Sequence, residues 1–213
     1  MITAGKLISD AIQQLNQQGV DVDQPDILYA QRNLARRAYA GEYPWSWLAG
    51  HGSVTFASGS APFAEAAFPA DANPRFPVTA WSVIGGEPAD WDRTDYKGCA
   101  RTLGAVPRFH ADHAARKAFS NAGDGAEAYL DYTRSLEDLP GDASADSQEE
   151  PYPDGMAVTW KLCSFYVFAT QGQELGPRDY FEGLYSDQVA EDIRKDQALQ
   201  PVLEASLSYR GRR

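Results

Sequence analysis

Apolar residues recur at helical spacing near the start of the chain. One face of the first predicted helix carries a regular apolar stripe, formed by Leu7, Ile8, Ala11, Ile12 and Leu15. Glutamine and asparagine fill the opposite side, and Gly19 ends the helix as a C-terminal capping residue would. The pattern predicts an amphipathic helix with one buried face.

A second helix is predicted to begin at Pro25, which suits a first helical turn, and to end at Gly41. Its inward positions are expected to be Leu28, Gln31, Leu34, Ala35 and Ala38. The same spacing predicts its three arginines, Arg32, Arg36 and Arg37, on the outer side.

The middle of the chain changes character. From Val54 to Arg134 it is rich in glycine, proline, aspartate and aromatic residues, with short alternating runs that predict a mostly antiparallel β region. The candidate strands are Val54–Ala57, Pro77–Ile84, Gly98–Leu103 and Ala128–Arg134. The span Phe109–Ser120 fits helix or strand, and strand or irregular structure is favoured.

Residues 137–154 hold seven acidic side chains among proline, glycine and serine, which predicts an exposed loop or linker. Asp154 or Gly155 then caps a predicted helix over Met156–Gln171, and Gly176-Pro177 interrupts the chain. A last helix is predicted from Pro177 to Ala198. Its apolar side is expected to face inward and its charged residues outward, the inward set being Tyr180, Phe181, Leu184, Tyr185, Val189 and Ile193.

This element order predicts an α+β fold. Residues 1–50 and 155–200 are expected to form one four-helix bundle, with a β-rich domain over 51–136 inserted between them. Residues 137–154 would be an acidic loop, and residues 201–213 a C-terminal tail.

Composition narrows the function classes. The net charge of −11 disfavours a general nucleic-acid-binding protein, since a phosphate-binding surface needs clustered lysine and arginine. Two cysteines cannot form a disulfide framework and fit synthesis in a reducing cytoplasm. The sequence has no apolar run long enough for a membrane helix, and its polar start does not predict a signal peptide.

Catalytic signals are sparse, and we expect no enzyme activity, cofactor or resident metal. The sequence contains no nucleophile elbow, phosphate-binding loop or zinc-protease motif. His110 and His113 could share a metal ion on a helix, with Cys99 as a distant third ligand, but a solvated or hydrogen-bonded histidine pair is favoured. The acidic run lacks the regular order of a calcium loop, and His51 reads as a loop residue.

Three further features each allow two interpretations. Cys163 is either a small buried hydrophobe, which is favoured, or a nucleophile. Trp45 and Trp47 are either a carbohydrate-stacking platform or, as we favour, part of a junction between bundle and β region that comprises Tyr43, Pro44, Trp45, Trp47 and Leu48.

The basic C-terminal tail is the third of these features. It is either a frayed terminus or a docking peptide for an acidic groove, with Tyr209 as an aromatic anchor. The residues expected to dock are Leu207, Tyr209, Arg210, Arg212 and Arg213.

The chain resembles the head–tail adaptor proteins of tailed phages, including the tail-tubular type of short-tailed phages. The resemblance rests on Leu34-Ala35-Arg36-Arg37 in the second helix, followed by Tyr43-Pro44-Trp45-Ser46-Trp47-Leu48 and a strand beginning at Val54. Later, Ala128-Tyr129-Leu130-Asp131-Tyr132-Thr133 leads through Leu139-Pro140 and a polar loop to a long helix.

The resemblance implies a virion structural protein made in the host cytoplasm. Such adaptors form a homo-oligomeric ring of about twelve subunits beneath the portal and connect it to the tail nozzle or next tail component. They leave a channel for DNA, and a negative lumen would let the duplex pass without binding it. By the same resemblance, the C-terminal tail would dock on the portal and the β region would face the tail component.

Two other function classes remain open. The five Trp, eleven Tyr and many acidic residues also suit a carbohydrate-binding or depolymerase-related accessory module. A small scaffold protein that covers an exposed apolar face of the N-terminal helices with a partner is the third possibility.

Overall fold

The chain forms a mixed α+β structure, which we describe from a computed structural model. The model describes residues 2–58, 63–99, 107–172 and 175–210, and at residues 98–99, 175 and 200–210 it describes the backbone only. The chain divides into two compact units: a helical unit made of Met1–Trp47 and Leu136–Arg213, and a β unit made of Leu48–Ser135. The two ends of the chain therefore belong to one unit.

The helical unit contains four helices of more than ten residues within the described ranges: α1 (Ala4–Gln17), α2 (Pro25–Ala40), α4 (Met156–Gln171) and α5 (Leu175–Arg210). The Thr3 side chain caps α1 by accepting a hydrogen bond from the Lys6 amide, and Gly19 follows the helix with a positive φ of 72°. Pro25 occupies the first turn of α2, as predicted.

Helix α4 is the centre of this unit, because α1, α2 and α5 all pack against it. Its buried positions extend around most of its circumference, unlike those of a surface helix. Most of the apolar face of α1 is covered, and only Ile12 of the predicted stripe is partly exposed. The buried residues of α1 are Ala4, Leu7, Ile8, Ala11 and Leu15. A scaffold role that needs this face exposed is therefore not supported.

The expected orientation of α2 is wrong in part. Leu28 and Ala35 are buried, as predicted. However, Arg32 is fully buried and Arg36 is 4% exposed, whereas the predicted inward residue Leu34 is 46% exposed. Arg37 is on the outer side, as predicted. The rotation has a physical cause, because acceptors from a distant segment of the chain surround both buried guanidinium groups.

That distant segment is the predicted acidic loop, residues 137–154, which we call the acidic strap. Arg32 Nη2 donates to the carbonyls of Pro140 (2.7 Å) and Asp142 (3.1 Å), and Arg36 Nε lies 3.0 Å from the Glu150 carboxylate. Glu150 is 4% exposed, and its carboxylate is tolerated in this buried position because it is paired with Arg36. The prediction of a solvated loop is thus wrong for Glu150, although most of the other acidic residues remain exposed.

Backbone contacts fix the strap as well. It pairs with the start of the chain through Ala4 N to Gln148 O at 2.9 Å and Glu150 N to Ile2 O at 3.0 Å. Asn33 exchanges two hydrogen bonds with the backbone of Leu139, at 2.7 and 2.9 Å. A single-turn 3-10 helix, Ala143–Ala145, lies within the strap. The strap is therefore held by hydrogen bonds as an integral part of the helical unit.

Helix α5 differs from its prediction at both ends. It begins at Leu175 and includes Gly176 and Pro177, since a proline is tolerated in a first helical turn. Its backbone continues to Arg210 instead of stopping near Ala198, through a segment rich in the good helix formers leucine, alanine and glutamate. The expected tail 201–213 is thus helical as far as Arg210, and residues 211–213 lie outside the described part.

The inward face of α5 also differs. Tyr180, predicted inward, is 47% exposed, and the buried stripe of Phe181, Tyr185 and Val189 continues into two acids, Asp192 and Asp196. Both acids follow the helical spacing of the stripe. The expectation that all charged residues of α5 face solvent is therefore wrong.

The β unit holds two sheets. Their strands are β1 (Ala49–Thr55), β2 (Ala57–Ser58), β3 (Ala64–Ala67), β4 (Thr79–Ile84), β5 (Glu87–Asp90), β6 (Asp92–Arg93), β7 (Arg108–Asp112), β8 (Lys117–Ser120) and β9 (Glu127–Thr133). The first sheet has the order β1-β9-β4-β5 and the second the order β2-β3-β8-β7-β6. Every described pairing is antiparallel except β6 with β7.

Most strand predictions overlap the observed strands. The ambiguous span Phe109–Ser120 is the hairpin of β7 and β8, so the strand interpretation is confirmed. The predicted strand Gly98–Leu103 is wrong at its start, because residues 98–99 belong to the short helix α3 (Tyr96–Cys99), and its remainder lies outside the described residues. The core of the unit is one apolar cluster around Phe56, Trp91, Phe109 and Leu130.

Within the described residues, no helix combines the length and the apolar composition that crossing a membrane requires.

Candidate functional site

The predicted junction residues fall on a cluster of stacked rings in the helical unit. We call Tyr39, Tyr43, Trp45, Trp47 and Tyr152 the aromatic cluster. Tyr39 lies at the end of α2, Trp45 and Trp47 follow after the Pro44 turn, and Tyr152 comes from the acidic strap. Three parts of the sequence thus meet at one place.

Trp45 is the centre of the aromatic cluster. Its ring lies 4.8 Å from that of Tyr39 and 5.2 Å from that of Tyr43, and its Nε1 donates to the Tyr39 carbonyl at 3.0 Å. Trp45 is only 2% exposed. It cannot serve as an open sugar-stacking platform, so that interpretation of Trp45 is wrong.

Trp47 is half-buried and links the rings to the strap. Its ring centroid lies 6.1 Å from that of Trp45 and 5.8 Å from that of Tyr152. The first segment of the helical unit ends at Trp47, and the β unit begins at Leu48. The Leu48 carbonyl accepts a hydrogen bond from Arg134 N at 2.7 Å. A junction role for Tyr43, Pro44, Trp45, Trp47 and Leu48 stays a prediction.

Two acids of α5 border the aromatic cluster. The Tyr39 hydroxyl donates to Asp192 at 3.0 Å, and Gln188 Nε2 donates to the same carboxyl group at 3.0 Å. The backbone amide and the hydroxyl of Ser46 both donate to Asp196. Burial raises the pKa of Asp192, and burial together with the neighbouring Asp192 charge raises the pKa of Tyr39.

A cavity of about 570 Å³ opens beside these groups. Its apolar wall includes Trp47, Pro151, Tyr152 and Leu199, and Glu149 and Asp196 contribute carboxylates. A second space of about 190 Å³ shares Trp47, Asp196 and Leu199 with it and extends to Tyr39. The larger volume falls within the range of about 300–1,000 Å³ that is typical of ligand pockets.

The Tyr152 side chain forms part of the buried wall of this cavity. Tyr152 is 2% exposed, and its hydroxyl makes no well-formed hydrogen bond to any described residue, although Glu150 and Arg36 lie close by. Burial beside Glu150 raises the pKa of this hydroxyl well above the usual value, so it keeps its proton. The half-buried Trp47 ring and the Glu149 and Asp196 carboxylates are the groups of the cavity that suit a cationic side chain.

His110 and His113 do not share a helix, the arrangement in which they could have bound one metal ion. His110 lies on β7 with Nδ1 3.2 Å from the Thr94 carbonyl oxygen, and His113 lies in the following turn with its ring 5.7 Å from that of Phe68. Burial lowers the pKa of His113. Cys99 has only its backbone described, and the described residues contain no group of three histidine, cysteine or acidic side chains placed to hold a metal.

Cys163 lies in α4 and is fully buried, with Sγ 3.6 Å from the Ala11 carbonyl oxygen. Burial raises the pKa of its thiol, which disfavours the nucleophilic thiolate. The interpretation of Cys163 as a small buried hydrophobe is therefore the one that its surroundings support.

The β unit carries an exposed apolar surface that the sequence did not reveal. Trp81 of β4 pairs with Tyr129 of β9, and their rings stack with centroids 4.5 Å apart. Tyr129 and Val83 are 44% and 57% exposed. We call Trp81, Val83 and Tyr129 the β-sheet patch, because strand alternation and the pairing of Trp81 with Tyr129 place them on one face of the sheet, where clustered apolar groups can mark an interaction site.

His51 lies next to this patch on strand β1, so its prediction as a loop residue is wrong. Its Nδ1 lies 2.7 Å from Oδ1 of Asp131, which is paired with His51 in the sheet register. The alternation of β9 could have located the patch, because Tyr129 and Asp131 point to the side opposite the buried Leu130. The pairing with β4, which brings Trp81 there, could not be read from the sequence.

The predicted docking tail is described in part. Leu207, Tyr209 and Arg210 have helical backbone in the last turns of α5, and Arg212 and Arg213 lie outside the described residues. In comparisons with known proteins, no protein-family model and no curated protein sequence matches the chain.

Proposed function

We propose that this protein is a head–tail adaptor of a tailed phage, a virion structural protein that forms a ring between the portal and the tail. The observation that carries the proposal is the chain layout: one helical unit built from both ends of the chain, with a β unit formed by the residues between them. The phage adaptors that the sequence resembles share this layout, which begins with a pair of helices and ends with helices and a C-terminal tail.

The distribution of charge and apolar surface is compatible with this role. A net charge of −11 would keep a DNA channel from holding the duplex. The β-sheet patch offers a surface for the next tail component, and the C-terminal segment offers one for the portal. Ring assembly would use further surfaces of the helical unit, and no catalytic step is needed.

The test is native mass spectrometry with negative-stain imaging of the protein alone and mixed with the portal encoded by the same genome. We expect a complex that carries about one adaptor copy per portal subunit, whatever the state of the free protein. A chain that remains monomeric and ignores the portal would refute the proposal. Removing the last eleven residues should abolish docking and leave the far-UV circular dichroism spectrum unchanged except for the lost helical turns.

One observation favours a carbohydrate-binding module as the second candidate. The half-buried Trp81 ring and the exposed Tyr129 ring lie next to His51 and Asp131, so that apolar ring faces and hydrogen-bonding groups occur on one side of a sheet. Sugar binding would quench tryptophan fluorescence, and Trp81→Ala would remove the effect. The absence of binding across a glycan panel would eliminate this candidate.

A further inference from the structure

The cavity beside the aromatic cluster has the chemistry of a receptor for arginine. The half-buried Trp47 provides a ring face, and Glu149 and Asp196 provide carboxylates within the same space of about 570 Å³. Guanidinium groups combine stacking on aromatic rings with bidentate pairing to carboxylates, which an ammonium group does less well. The buried Tyr152 forms part of the cavity wall.

The chain itself contains a complementary segment. Three of its last four residues are arginine, and Tyr209 precedes them, on a protein whose net charge is −11. Such a local reversal of charge is what electrostatic complementarity between two surfaces requires. The cavity with the Glu149 and Asp196 carboxylates is therefore a candidate docking target for this basic segment on the protein itself.

The described part of helix α5 ends well beyond this cavity. Leu199 of α5 lines the cavity, and the same helix continues to Arg210. At a rise of 1.5 Å per residue, these eleven residues carry the chain about 16 Å further along the helix axis. The described backbone thus ends at a distance from the cavity of its own subunit, which leaves that cavity open to the basic segment of a second copy.

We propose that the Arg210–Arg213 segment of one copy binds the Trp47–Tyr152 cavity of a neighbouring copy, as a latch between adjacent subunits. The inference rests on the proposed ring and names the partner of the tail within it. Loss of the tail would then abolish portal docking because the ring no longer closes. The latch also offsets the mutual repulsion of strongly negative subunits, so its strength falls as salt screens the charges.

A labelled peptide of residues 203–213 tests the cavity, with binding to the full-length protein followed by fluorescence anisotropy at low protein concentration. Glu149→Lys reverses an exposed carboxylate of the cavity and should weaken binding about tenfold or more. Glu137→Lys is the matched control, because Glu137 is an exposed acid of the same strap outside the cavity lining, and it should change binding less than about twofold. Equal effects of the two variants would overturn the proposal.

Mixing two defective full-length chains tests binding between copies. One chain carries Glu149→Lys, and the other carries Arg210→Gln, Arg212→Gln and Arg213→Gln. Each alone should remain monomeric, whereas the mixture should form a dimer that grows no further, because only one intact cavity and one intact tail can meet. A mixture that stays monomeric while the wild-type protein self-associates would overturn the latch.

The portal assay keeps this inference apart from the proposed function. A peptide that does not bind, together with a normal portal complex of the Glu149→Lys variant, refutes the latch and leaves the adaptor role intact. A bound peptide and a mixed dimer, together with no portal complex of the wild-type protein, support the latch and refute the adaptor role.

Discussion

The buried pair of Arg36 and Glu150 allows a sharp test of how the acidic strap is held. We consider Arg36→Met, which keeps much of the apolar stem and removes the guanidinium group. Arg36 Nε lies 3.0 Å from the Glu150 carboxylate, and Nη1 donates to the Glu137 carbonyl at 2.8 Å and to Asn33 Oδ1 at 3.0 Å. The substitution therefore removes three hydrogen bonds and leaves a carboxylate in a site where Glu150 is 4% exposed.

Removing one partner of a buried ion pair costs about 3–5 kcal/mol, because the remaining charge has lost its compensation. We expect Arg36→Met to lower the free energy of unfolding of the helical unit by about this amount. Glu150→Leu should cost less, since Arg36 keeps its bonds to Glu137 and Asn33. The double variant should be more stable than the sum of the single effects predicts, by about 1–3 kcal/mol.

The assay is urea unfolding at pH 7, followed by far-UV circular dichroism, which the helices dominate. Arg37→Met is the matched control, because Arg37 is the next residue of the same helix. Its side chain is 54% exposed and lies 3.6 Å from the exposed Asp138 carboxylate, so its loss should cost less than about 1 kcal/mol. The reasoning is refuted if Arg36→Met and Arg37→Met destabilise the protein equally.

Three more predictions concern single positions. Gly155→Ala should destabilise the helical unit by about 1–3 kcal/mol, because a Cβ there would overlap Ile2 Cδ1 and lie 2.7 Å from Leu7 Cδ2. Gly183→Ala, whose Cβ would meet no neighbour within 4 Å, should stabilise α5 by up to about 1 kcal/mol; thermal unfolding compares the two variants, and the opposite order would contradict the packing. Burial raises the folded-state pKa of Asp192 above its ordinary value of 3.8, so Asp192 favours folding fully only below pH 3.8 and loses that contribution as pH rises through the folded-state pKa. The stability of Asp192→Asn relative to wild type should therefore increase from pH 4 to pH 7, and a stability difference that does not change with pH would exclude a raised pKa of Asp192. In a Cys99→Ser background, Cys163 should react with a thiol reagent only after urea unfolding, and labelling in native buffer would contradict its burial.

Local patterns predicted the elements better than their orientations. The apolar stripe of α1 and the capping role of Gly19 were correct because both are set by neighbouring residues. Arg32 and Arg36 were placed on the wrong side of α2, because their acceptors lie more than 100 residues away in the strap. Charge alone indicates solvent unless the partner is known, and no local signal identifies that partner.

The candidate site was likewise predictable only where the signal lies in neighbouring residues. Tyr43, Trp45 and Trp47 stood out in the sequence because they crowd around Pro44. Tyr152, which completes the cavity, comes from the strap and carries no signal at its own position. Asp192 and Asp196 do continue the spacing of Phe181, Tyr185 and Val189, so spacing weighted above charge would have found them.

The long separation of the buried ion pairs has a consequence for synthesis on the ribosome. Glu150 is the 114th residue made after Arg36. At about 5–20 residues per second, this interval lasts roughly 6–23 s. Helices α1 and α2 wait through it without α4, against which both of them pack. The β unit is contiguous in sequence and precedes α4, so it can complete its own core first. We therefore expect ribosome-bound chains whose residues 48–135 have left the ribosome, but whose α4 has not, to resist proteolysis over 48–135 and to be cleaved readily over 1–47.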